Sequence, residues 1–147
     1  MIIDFGDGLV TEHLLAHGVY LLDVFDRENG QALADTRYVT AYDVSVDAMP
    51  RPEAGTEWVA NVTIGESTGT FAEVQTHNWG AATQITLSGC TYDVIPSTIR
   101  YDNDDEWFIE DISYLPQVGI GLLTAYTDGV DGRYEYPKLA SLVALGN

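Results

Sequence analysis

Three histidines, one cysteine and 23 carboxylates are the groups of this 147-residue chain best suited to chemistry. His13 and His17 are four residues apart, which on a helix places both imidazoles on one face, a spacing that many zinc sites use. His77 is the candidate third ligand. The metalloprotease pattern wants a Glu directly after the first His, but Leu14 stands there, Glu12 precedes it, and Gly18 ends the segment. The competing reading is ordinary surface or capping histidines.

Residues 101–111, "YDNDDEWFIED", set six acids around a Trp-Phe-Ile core. Asp102, Asp104 and Glu106 alternate as calcium ligands do, so a structural Ca2+ or Na+ is the one cofactor the chain suggests. The EF-hand pattern requires glycine where Trp107 stands. The plainer reading is a solvated turn whose charges keep a sheet edge from pairing with neighbours. Trp107 and Phe108 would then be interface anchors, with Trp79 and Trp58 as further candidates.

The other chemical signals are weaker. Among so many acids some pair always has the separation a glycosidase needs, so proximity in sequence says little. Cys90, in "LSGCTYD", has no histidine beside it and reads as a buried structural thiol. There is no nucleophile elbow, P-loop or dinucleotide fingerprint. "QVGIGLLTAY" holds Gly119 and Gly121 without the third glycine of that fingerprint, and glycine in an apolar strand marks a bulge or close packing. Trp58, Trp79 and Trp107 could be stacking platforms for a ligand, with "THNWGAAT" at 76–83 the best single loop, provided all three cluster facing solvent.

The elements that must position these groups are mostly strands. Turn signals recur at 28–30, 65–69, 78–80, 88–89, 102–105, 128–129 and 131–132, and runs of about 6 to 12 residues lie between them. In "EWVANVTI" Trp58, Ala60, Val62 and Ile64 share one face, opposite Glu57, Val59, Asn61 and Thr63. In "TRYVTAYDVSVD" Tyr38, Tyr42, Val44 and Val46 share a face. Pro96 and Pro116 limit strand continuation. "YPKLASLVALGN" predicts a short C-terminal helix, with Pro137 in its first turn and Gly146 at its end. "TEHLLAH" admits a short N-terminal helix, with a strand as the competing reading. The expected fold is mainly β: a single domain over 1–147, either a β-sandwich or a small barrel with these minor helices.

Charge sets the milieu. Fourteen Asp and nine Glu face five Arg and one lysine, Lys138, for a net charge of −17. Self-repulsion of this size destabilises a compact state unless salt screens it. The composition resembles that of proteins from extreme halophiles. It argues against direct nucleic-acid binding, which needs a cationic footprint. No run is long and apolar enough for a membrane-spanning helix, and the acidic N-terminus lacks the basic start of a secretory signal, so the expected site is cytoplasmic.

Two resemblances follow. "GVYLLDVFDRENGQALADTRYVTAYDVSVD" resembles the opening hairpin of transthyretin-like or carboxypeptidase-regulatory-like sandwiches, over about a fifth of the chain. The layout, a small β-domain with aromatics among acids, resembles the head-decoration, connector and tail subunits of tailed viruses. That second resemblance implies a non-enzymatic virion subunit from a high-salt host, assembled in the host cytoplasm with copies of itself and other assembly proteins. The alternatives are a ligand- or carbohydrate-binding module, and a small metal-dependent or acid/base hydrolase in which the histidines or two acids converge in one cleft.

Overall fold

The structure, a computed structural model, describes residues 1–104 and 106–136, with the backbone alone for Phe5. Its strands are β1 (Ile2–Gly6), β2 (Leu9–Ala16), β3 (Tyr20–Glu28), β4 (Gln31–Ala32), β5 (Tyr38–Tyr42), β6 (Glu57–Glu66), β7 (Gly69–Trp79), β8 (Thr83–Leu87), β9 (Cys90–Asp102), β10 (Trp107–Leu115), β11 (Ile120–Asp128) and β12 (Arg133–Glu135). All pairings are antiparallel, and the path β1-β2-β3-β5-β6-β7-β9-β10-β11-β12 is an up-and-down meander. Short β4 lies against β3, and β8 forms a hairpin with the first half of β9.

The tight turns follow their dipeptides. Asp7-Gly8, His17-Gly18, Asn29-Gly30 and Ser88-Gly89 all have positive φ at both residues, the left-handed pair that joins twisted strands in two-residue hairpins. The segment read as a short N-terminal helix is strand β2. The His17-Gly18 turn reverses the chain directly into β3, and the pairing Leu9↔Glu28 through Ala16↔Tyr20 satisfies the backbone that a helix would have satisfied locally. The C-terminal helix expected over 137–147 lies outside the described residues.

The alternation expected in β6 holds: Ala60, Val62 and Ile64 are buried, Trp58 is half-buried, and the opposite face is exposed. Tyr38, Thr40 and Tyr42 face inward from β5, but the strand ends there, leaving Val44 and Val46 exposed in the following segment. Pro116 ends β10. Pro96 does not end β9. The pairing with β8 stops at Val94 and that with β7 begins at Ser97, so the missing N–H falls in the gap between partners.

One sheet is curled on itself, the barrel-like of the two architectures expected. Bulges at Leu22 on β3, opposite the Leu14–Leu15 step of β2, and at Thr124 on β11, opposite the Asp111–Ile112 step of β10, add local bend and twist. The two turns this bending brings together are His17-Gly18 and residues 116–119. There Gly121 N–H donates to the Gly18 carbonyl oxygen at 2.9 Å. Gly121 sits against Val19 and Ile112, the close packing that glycine in an apolar strand suggests.

In a meander alternate turns lie at the same end, which gives this molecule two unlike ends. One is filled by a core of Val19, Tyr20, Met49, Trp79, Ile95, Ile99, Ile112 and Tyr114. The segment after β5 closes it, with Tyr20 Oη–H donating to the Pro50 carbonyl oxygen at 2.9 Å. The other end carries the β1–β2, β3–β4, β6–β7, β9–β10 and β11–β12 turns, and it is rich in Asp and Glu.

The described ion pairs, Arg27–Glu12, Arg37–Asp23, Arg100–Asp102, and Arg133 with Asp111 and Glu135, engage only five of the 23 acids. All are surface pairs of small individual worth. Most carboxylates therefore repel one another over a screening length of about 3 Å at ~1 M salt but more than ~10 Å at ~0.05 M. Dialysis from ~1 M to ~0.05 M NaCl is expected to lower the melting temperature by about 5 °C or more, read by circular dichroism. An unchanged or higher value would contradict the halophilic reading.

Candidate functional site

Strand β7 builds the site. In "TFAEVQTHNW" the alternating residues Glu73, Gln75 and His77 point inward, and their exposures of 3%, 3% and 1% make them among the most buried polar residues described. Phe71 before them and Trp79 after them share that face. Beside them on the same wall stand Thr40 and Tyr42 of β5, Tyr101 of β9, and Phe108 and Glu110 of β10. Together they line a cavity of about 450 Å³ inside the curled sheet, within the range of small-molecule sites.

The lining is a network with loose ends. Tyr42 Oη–H donates to Gln75 Oε1 at 3.0 Å, and Gln75 Nε2 donates to Glu73 Oε1 at 2.9 Å. Tyr101 Oη–H donates to Glu110 Oε2 at 2.8 Å. His77 stacks on Trp58 at 5.2 Å and meets the edge of Tyr20 at 5.1 Å, yet neither of its ring nitrogens has a hydrogen-bond partner. Thr40 Oγ1, 4% exposed at the residue level, and His13 Nδ1 are also unpartnered. Buried polar atoms are almost always satisfied, so three such side chains around one cavity are unusual.

Burial tunes these groups in opposite senses. It pushes His77 down to about 4, so its imidazole is neutral at pH 7. It raises Glu73, helped by the nearby Glu110 and Asp102 charges and opposed by the Gln75 hydrogen bond. It raises Glu110 too, against the lowering effect of its Tyr101 bond. Burial likewise raises the phenols of Tyr38, Tyr42 and Tyr101. The cavity therefore holds neutral donors and acceptors around carboxyl groups reluctant to ionise.

The sequence candidates are scattered relative to this site. His13 and His77 line the cavity, while His17 sits in the β2–β3 turn with Nε2 3.3 Å from the Met49 carbonyl oxygen. No three His, Cys, Asp or Glu among the described residues are grouped to hold a metal ion. In the acidic turn, Arg100 takes Asp102 through both its Nε and Nη2, at 2.6 to 3.0 Å. Asn103 Oδ1 accepts from Glu106 N–H at 2.9 Å, and Asp104 is exposed. Asp102 and Glu106 thus serve the turn and the ion pair.

The tryptophans do not form the clustered platform a stacking site requires. Trp79 is 4% exposed in the core, and Trp58 lies half-buried between Tyr42 and His77. Trp107 lies on the outer face under the Arg100 guanidinium, 4.8 Å from its ring. Phe108 turns inward and stacks on Tyr101 at 4.3 Å. Cys90 is exposed rather than buried, because it opens β9 just after the Ser88-Gly89 turn.

Two acids do converge, but they are Glu73 and Glu110, and sequence spacing could not have paired them. A signal was present: β7 places its polar side chains on the face that its flanking Phe71 and Trp79 mark as inner. Comparison with protein-family models, curated proteins and solved structures finds no match to this chain.

Proposed function

We propose that the protein is a ligand-binding module that holds a small molecule inside its curled sheet. The observation that carries this reading is His77, an imidazole 1% exposed, with both ring nitrogens unpartnered, on the wall of a cavity of about 450 Å³. An uncompensated buried polar group costs about 1–3 kcal/mol. A molecule that hydrogen-bonds His77 and Thr40 removes that penalty and gains apolar contact with Tyr42, Phe71 and Phe108. The test is an NMR titration with small amphipathic molecules of every charge, following ring protons of His77 and Tyr42. At least one should shift both resonances saturably at 1:1 stoichiometry. A panel that leaves both unmoved would sink the reading.

A second reading is assembly, in which the chain is a virion subunit of a tailed virus from a high-salt host. It rests on the sheet path ending at β1 and β12, and on the exposed Ile2, Leu14 and Tyr134 at or beside those edges. Unpaired strand edges invite β-augmentation by a neighbouring copy. Light scattering at several molar salt and high protein concentration should then give an oligomer. A stable monomer counts against it.

A further inference from the structure

We infer that the cavity selects a compact organic cation: an ammonium or alkylammonium group on a small apolar body. This rests on the ligand-binding reading above and adds the chemical class.

Each ligand class meets a different wall. An anion would face Glu66, Glu73, Glu106 and Glu110, the four acids that line the cavity, and no Lys or Arg lines it among the described residues. Among the described residues the one positive group at its border, the Met1 ammonium, is tied to the His13 carbonyl oxygen at 2.7 Å. A wholly apolar ligand would leave the His77 nitrogens and Thr40 Oγ1 as unsatisfied as before. A cation favours the ionised form of Glu73 and Glu110, whose carboxylates then compensate its charge, and it lies among the aromatic rings of Tyr42 and Tyr101. Neutral His77 accepts an N–H through its unprotonated nitrogen, which an imidazolium could not do.

The approach is shaped the same way. Glu66 and Glu106, on the β6–β7 and β9–β10 turns, line the cavity from its acidic end. Asp102 and Asp104 share the second of those turns. A low-dielectric cleft rimmed by one sign of charge concentrates the opposite ion and speeds its entry. From the "YDNDDEWFIED" stretch, Glu106 then works as part of the mouth, with the exposed Asp104 beside it.

The test is calorimetry on the intact protein with three probes of one shape at one fixed ionic strength. They are benzylammonium, whose N–H groups can reach His77 and Thr40, its uncharged carbon isostere ethylbenzene, and the anion phenylacetate. The cation should bind at 1:1 stoichiometry at least ten-fold more tightly than the isostere, and the anion should not bind. Glu73→Gln and Glu110→Gln should each weaken benzylammonium binding about ten-fold while changing ethylbenzene binding by less than two-fold. Isostere or anion binding as tight as the cation overturns the charge assignment and leaves the ligand-binding reading standing. Cation binding that both variants leave unchanged overturns it too, placing the cation elsewhere on the acidic surface. Failure of all three probes to bind, together with a silent NMR panel, overturns both.

Discussion

His77→Phe should stabilise the ligand-free protein by about 1–3 kcal/mol at pH 7, and by more as the pH falls. A phenyl ring keeps the contacts with Trp58 and Tyr20 and removes two buried nitrogens that have no partner. The pH dependence has a definite sign. In the unfolded chain the imidazole takes up its proton near 6.5, whereas in the fold burial defers this to about 4. Between those values the unfolded state binds more protons, so wild-type stability falls as pH falls through the window and levels off below it. A gap of this size corresponds to roughly 3 kcal/mol, fully expressed only near pH 4. The raised carboxyls Glu73 and Glu110 work in the opposite direction, since the fold holds their protons more tightly than the unfolded chain does. They, and the acids on the surface, are common to both proteins and cancel in the difference. Urea unfolding at pH 7, 6, 5 and 4 should therefore show the gap between variant and wild type widening steadily. A variant less stable than wild type at pH 7 would mean that the nitrogens are satisfied in the unliganded fold. The same substitution should abolish shifts of Tyr42 by any ligand that hydrogen-bonds to residue 77, the trade of function against stability expected of a binding site.

What could be read in advance was local. Glycine in the dipeptides Asn29-Gly30 and Ser88-Gly89 favours the left-handed backbone of a two-residue turn, and β6 declares its buried face by strict alternation. The nature of β2 was ambiguous because the segment is short, its apolar side chains at 10, 14 and 15 fit a helical stripe, and those at 10 and 14 alone also fit a strand. Its pairing with β3 decided the matter. Whether the strands form two layers or one curled sheet depends on bulges and on a contact between turns about a hundred residues apart, which no window of sequence contains. The site was hidden for a different reason. Sequence patterning assumes that inner faces are apolar, and β7 breaks that rule with Glu73, Gln75 and His77. Such a break is where a functional site is to be expected. The acidic stretch drew notice first because its charges are consecutive, yet only Tyr101, Phe108 and Glu110 from it line the inner wall beyond the rim. Their significance comes from Tyr101 facing Gln75 across the β7–β9 pairing and Phe108 across the β9–β10 pairing.

The cavity exists only if the sheet stays curled, and Gly18 is where that can be broken with one methyl group. Gly18→Ala should destabilise the fold by about 3 kcal/mol or more, near the top of the range for a single substitution. Two effects add. The backbone of Gly18 has φ +73°, which an L side chain adopts only with strain. The new Cβ would also collide with the Gly119 carbonyl oxygen and lie 2.7 Å from its carbon and 3.1 Å from Ile120 Cα. All three are backbone atoms, so relief requires the two turns to separate, which breaks the Gly121 N–H bond to the Gly18 carbonyl oxygen. Gly30→Ala is the matched control, because its φ is +83° but a Cβ there meets nothing within 4 Å. That variant should lose about 1 kcal/mol, the conformational term alone. Denaturant unfolding of the pair therefore separates strain from collision. Equal losses would show that the contact between the turns does not hold the sheet closed. A large excess loss in Gly18→Ala, with ligand-induced shifts of His77 reduced even where the variant remains folded, would tie the closure of the sheet to the integrity of the site.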